Sequence, residues 1–134
     1  MQLIPIITCE HAGNEVPERY AHYFASAAAE LSSHLGWDPG AREIGLHLAR
    51  NLGAPFYKCE STRLLVEPNR SLDSLSLFSA FVQSLTEDER KEVLNQYYVP
   101  HRSAVEEWVR AQPNPWHTFQ YTRSRRFLTD ISAT

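Results

Sequence analysis

Three polar loops carry most of the side chains able to do chemistry. CEHAGN places Glu10 and His11 side by side, directly after a short apolar run. SHLGWDPGA supplies His34 and Asp38, and STRLLVEPNRS supplies Arg63, Glu67, Asn69 and Arg70. Imidazole and carboxylate together bind divalent metals such as zinc, and a metal with an open position lowers the pKa of bound water. Arginine makes a two-point bond to a carboxylate, and asparagine adds a directed donor. Each residue also has an ordinary role. Glu10 and His11 fit a plain polar loop, Asp38 before Pro39 a turn or N-cap, Asn69 a turn, and Arg70 a surface charge. His22, His47 and His117 read as structural or exposed, and His101, after YYVP, as packed at a helix break.

The loops need elements to hold them. Residues 3–8, LIPIIT, form an apolar, β-branched run that reads as a buried strand entering a loop. The alanine-rich stretch within 18–35 predicts a helix. WDPGA then punctuates the chain. Residues 39–52 set Ile44, Leu48 and Leu52 on one helical face beside Ala41 and Gly45, with Gly53 as the C-terminal cap. Two short stretches, 55–59 and 62–66, read as strands. Thr86 with Glu89 three residues on is a capping box that opens a helix to about Asn95. Pro100 kinks or interrupts it, a further helical run reaches Arg110, and Pro113 and Pro115 end that run. Strand, helix, helix, strand, helix is the order of a layered α/β fold, in which ligands gather at the carboxyl ends of the strands.

Composition narrows the class. A chain of 134 residues has room for one domain with a real core. A net charge of -3 is wrong for a nucleic-acid binder, which needs clustered Lys and Arg. No apolar run is long enough to span a membrane. The start, MQLIPIITCEHAG, has no basic n-region, so a signal peptide is not expected and a cytoplasmic location is. Cys9 and Cys59 do not make a disulfide framework and read as small buried residues at strand ends.

Five motifs then become specific together: TCEHAGNEVP, GWDPGARE, STRLLVEPNRS, the TEDER helix and YYVPHR, in that order. This series resembles the N-formylglutamate amidohydrolase family, over about residues 3–110. That family carries CEHAGN-x-x-P, G-[WY]-D-x-GA, SRL-x-x-D-x-NRS and YY-x-PYH. The resemblance implies a three-layer α/β/α sandwich of the phosphorylase/hydrolase-like type, akin to the zinc carboxypeptidases and aspartoacylases, of which this chain is the N-terminal part. It implies cleavage of N-formyl-L-glutamate, or a related N-acyl amino acid, to formate and glutamate in histidine breakdown. It implies zinc, with His11 as the first ligand. Asn14 stands where the wider group has a Glu ligand, so Glu10 or Asp38 would supply the second and carry the proton to the leaving amine. Asn69 and Arg70 match a pair that holds a substrate carboxylate, with Arg63 as another contact. Glu67 replaces the family's usual Asp, and Glu15 stands where Arg is common. The oligomeric state is not implied.

The end of the chain does not follow the rest. WHTFQYTRSRRFLTDISAT has three arginines against one aspartate, so the remainder is the more acidic part, and its apolar residues follow no helical or strand period. The family continues with a strand ending in VHSFTPV, whose His is the natural third zinc ligand, and then a loop G-x-x-RN. Degenerate codons for the tail, read two bases later, permit AHISVHSFTPVLDG-[HY]-x-RN. The expectation is therefore a frameshift near Pro113 to Trp116. Residues 1–115 would be the native N-terminal part and 116–134 an out-of-frame tail. On that reading the chain is close to inactive, and the alternative function is a catalytically dead remnant that at most binds a partner.

Overall fold

The computed structural model describes residues 4–113. The tail 116–134, for which an out-of-frame origin is expected, lies outside the described residues. The apolar run expected as a strand over 3–8 is strand only at its end, where β1 is Ile7–Cys9 and residues 4–6 are not strand, and the run after Gly53 gives β2, Phe56–Lys58. They pair in parallel, with Ile7 opposite Phe56 and Cys9 opposite Lys58. The fold is thus mixed helix and strand around a small parallel sheet, compatible with the α/β class.

Helix α2, Ala41–Leu52, makes the crossover between the two strands. Glycines in the left-handed conformation bracket it, Gly40 at φ 84° and Gly53 at φ 61°. Its buried face is not the expected Ile44–Leu48–Leu52 row, which is exposed at 64%, 45% and 54%. Gly45 and Ala49 face inward instead. The reason is close approach, since a Cβ on Gly45 would lie 2.7 Å from Phe56 Cε2. Only a small-residue seam lets helix and strand come this near.

Most of the core lies away from the sheet. Tyr20, Phe24, Ala27, Leu65, Val66, Leu77, Phe78, Val82, Leu85, Val93 and Tyr98 form one cluster. The single helix expected within 18–35 is two pieces, a 3-10 turn at Glu18–Phe24 and α1 at Ala28–Ser32. The chain closes down after α1 where Gly36 packs on the Leu31 backbone and Asn14 Nδ2 donates to Leu31 O at 2.8 Å. Residues 62–66 are not a strand. Leu65 and Val66 are both buried although adjacent, and the backbone turns, with Leu65 N donating to Thr62 O. Strand alternation would send one of the two to solvent.

The capping box at Thr86 and Glu89 is formed and opens α3, Glu87–Val93. Pro100 does not break the helical path. Its ring excludes the carbonyl four residues back and it brings no N–H. The chain accommodates it with a π turn over Leu94–Tyr98, closed by Val99 N–H on Leu94 O, and then runs on as α4, Val99–Arg110. The extra residue puts Val93 and Tyr98, five apart, on one buried face. No helix among the described residues is long and apolar enough to cross a membrane.

Candidate functional site

The parallel strands deliver two polar loops to one end of the sheet, and backbone hydrogen bonds lock them together. Ala12 N donates to Cys59 O, and Gly13 packs so tightly on Glu60 that a Cβ would meet its carbonyl at 2.5 Å. The GWDPG loop joins them. Asp38 N donates to His11 O at 3.0 Å, and Gly36 O accepts from Arg63 N and from the Thr62 hydroxyl. Residues far apart in sequence are thereby held at one point with little freedom left.

At that point His11, 7% exposed, lies between two carboxylates. Its Nε2 is 2.5 Å from Glu67 Oε1 and its Nδ1 is 3.3 Å from Asp38 Oδ2. Asn69 Nδ2 is 3.4 Å from the same Nε2. The second oxygen of Glu67 accepts from Arg63, with Nε at 2.8 Å and Nη2 at 2.7 Å. Burial pushes the Glu67 carboxyl up. The hydrogen bond and charge of His11, the Asn69 N–H and the Arg63 charge together outweigh it and hold the group below the usual range.

The expected residues do not all meet here. His11, Asp38, Arg63 and Asn69 do. Glu10 is turned to the other side of the chain, where His101 Nε2 lies 3.3 Å from its Oε1 and Thr8 also bonds it. Burial raises that carboxyl, and these two partners bring it below its ordinary value. Arg70 is exposed, and its backbone carbonyl, not its guanidinium, is what the fold engages. His34, His22 and His47 are exposed; His101 is packed, as expected, beside the irregular helical turn. Glu67 was visible in the sequence as a loop acid but was given no role there. Its acidic type and its place ahead of Asn69 and Arg70 were the available signal.

The donor set bears on a metal. A neutral imidazole has one N–H, yet carboxylate oxygens stand at both ring nitrogens. The 2.5 Å contact between Nε2 and Glu67 Oε1 is a hydrogen bond in which a ring N–H donates to the carboxylate. Imidazole nitrogen and carboxylate oxygen are donor types that ligate zinc, which would take the place of that proton with the two atoms moved apart. Asp38, on the opposite ring nitrogen, fits the partner that fixes the tautomer of a ligating histidine. Among the described residues no three His, Cys, Asp or Glu side chains form a complete metal site. The buried thiols of Cys9 and Cys59, pushed up by burial to about 11 and about 12, are not available as thiolates near neutral pH.

Loop-borne acid, imidazole, Asn and Arg at the carboxyl ends of parallel strands define a hydrolase-like site. The N-formylglutamate amidohydrolase family model matches residues 5–119, so the chain belongs to that family. The crystal structure of gene product Atu2144 from Agrobacterium tumefaciens is similar, with a TM-score of 0.72 and 29% sequence identity, over 78% of this chain and 44% of that one. The chain thus spans less than half the length of that solved structure. No curated protein matches the chain.

Proposed function

We propose that this chain is the N-terminal part of a cytoplasmic, zinc-dependent amidohydrolase that cleaves N-formyl-L-glutamate, or a related N-acyl amino acid, within histidine degradation. The observation that carries the reading is the buried contact of His11 Nε2 with Glu67, backed by Asp38 on the other ring nitrogen. The family match supports the reaction class. The finer fold is the three-layer α/β/α sandwich, completed by strands beyond β1 and β2.

In this reading His11 and Glu67 hold the metal, and Glu10 takes no part in coordination. Bound there, zinc would supply Lewis-acid polarisation of the formyl oxygen and a more acidic water. Asp38 orients His11 from Nδ1, on the side of the ring away from the metal edge. Arg63 is already engaged by Glu67, so Asn69 and the exposed Arg70 read the substrate carboxylates. The third ligand comes from the segment that the in-frame tail, HSFTP, would supply.

A second reading is favoured by the lack of a complete metal site among the described residues: a catalytically dead remnant. Formate release from N-formylglutamate with added zinc separates the two. The 134-residue chain is assayed beside a version whose reading frame is moved back to give HSFTP and the sequence beyond. Turnover by the second alone is expected. Equal rates from both would remove the out-of-frame reading of the tail, and no rate from either would remove the substrate assignment.

A further inference from the structure

Asn69 and Arg70 sit on a turn whose carbonyls are capped from the helical path. Tyr98 Oη donates to Arg70 O at 2.6 Å. Arg102 Nη1 lies 3.1 Å from the same oxygen, 3.5 Å from Pro68 O and 2.8 Å from Tyr98 Oη. Its guanidinium carbon stands 5.2 Å from the centroid of the Tyr98 ring. One cation therefore reaches the carbonyls on both sides of Asn69. The same turn is tied to the site from its other side, since Asn69 N donates to Glu67 Oε1 and Arg70 N to Glu67 O, each at 3.1 Å.

Packing alone does not require this chemistry. Tyr98 is 3% exposed, and a phenylalanine would fill the same space. The hydroxyl and the guanidinium fork are what match two backbone acceptors. The π turn turns Tyr98 inward, and the four-residue spacing of α4 sets Arg102 above it.

We propose that Tyr98 and Arg102 are positioning residues that clamp the Pro68–Arg70 turn, holding Asn69 and Arg70 where they meet the carboxylate of a ligand beside His11. The clamp rests, for its ligand, on the substrate reading above. Neither residue touches the ligand; both act through the turn.

The test uses the full 134-residue chain, with hydrogen exchange read at single amides and L-glutamate as the carboxylate probe. Tyr98→Phe and Arg102→Gln should each speed exchange at Asn69 and Arg70 about tenfold, the factor for one lost hydrogen bond, and weaken glutamate binding similarly. Exchange across α2 should not change, and Arg102→Lys, which keeps the charge without the fork, should fall between. Unchanged exchange at Asn69 and Arg70 would overturn the clamp. So would a uniform rise through α2, which marks a general loss of stability, or local loosening with glutamate binding intact. If the parent chain takes up no glutamate, the carboxylate role of the turn fails, the formate assay alone judges the substrate reading, and the local exchange at these two amides decides the clamp by itself.

Discussion

Glu67→Gln isolates the charge at the centre of the site. The side chain keeps its shape, and its oxygen can still accept from Asn69 N, so no cavity opens and no backbone donor is orphaned. What disappears is the negative charge facing His11 and Arg63. A hydrogen bond to a charged group contributes about 1.5–3 kcal/mol, and removing one partner of a buried pair costs about 3–5 kcal/mol. The Arg63 side chain is 29% exposed, so water screens part of its loss, which sets the expected cost at about 2–4 kcal/mol near neutral pH. With a urea m-value of about 2 kcal/mol per molar, the midpoint should fall by about 1–2 M. The pH dependence gives the sharper check. The folded-state pKa of Glu67 is depressed below 4.5. Its contribution is therefore fully present above the unfolded value and is lost as pH falls through the folded one. The gap between parent and variant should be widest at neutral pH and shrink steadily below pH 4.5. Urea titrations across that range decide it. A gap that stays constant into acid, or a variant as stable as the parent at neutral pH, would refute the charge argument.

Other consequences concern the frame around the site. Thr86→Ala removes the hydroxyl that caps α3 at Glu89 N and should cost about 1 kcal/mol, read as a lower denaturation midpoint with no change in metal binding. Cys9 and Cys59, raised to about 11 and about 12 by burial, should resist a thiol reagent near pH 8 until denaturant is added; prompt labelling of the folded chain would contradict their burial.

Much of the scaffold was legible in the sequence because it rests on local chemistry. β1, β2, the capping box, the glycine cap of α2 and the end of α4 each have a short-range cause. What was not legible depends on contacts between distant segments. The apolar row of α2 pointed to the wrong buried face because Gly45 meets Phe56 and Ile7 and Ala49 is buried with it, and small residues carry little hydrophobic signal. Residues 62–66 have strand composition, yet Thr62 N donates to Glu15 O, Arg63 N to Gly36 O and Leu65 N back to Thr62 O, a turn and not a ladder. In the site, His11, Asp38, Arg63 and Asn69 were visible as loop residues of the right kinds. The choice of carboxylate at His11 was not. Glu10 is adjacent in sequence, but neighbours at a strand end point to opposite sides, which sends Glu10 to His101 and leaves the place to Glu67.

The central claim is that His11 and Glu67, not His11 and Glu10, form the metal-binding edge. Zinc titration by calorimetry, on the chain with its frame moved back to HSFTP, tests it directly. The parent should bind one zinc. His11→Ala and Glu67→Gln should each lose affinity by at least about tenfold, as expected when a ligand is removed, while Glu10→Gln should keep it. Loss of zinc in Glu10→Gln with full binding in Glu67→Gln would contradict the account.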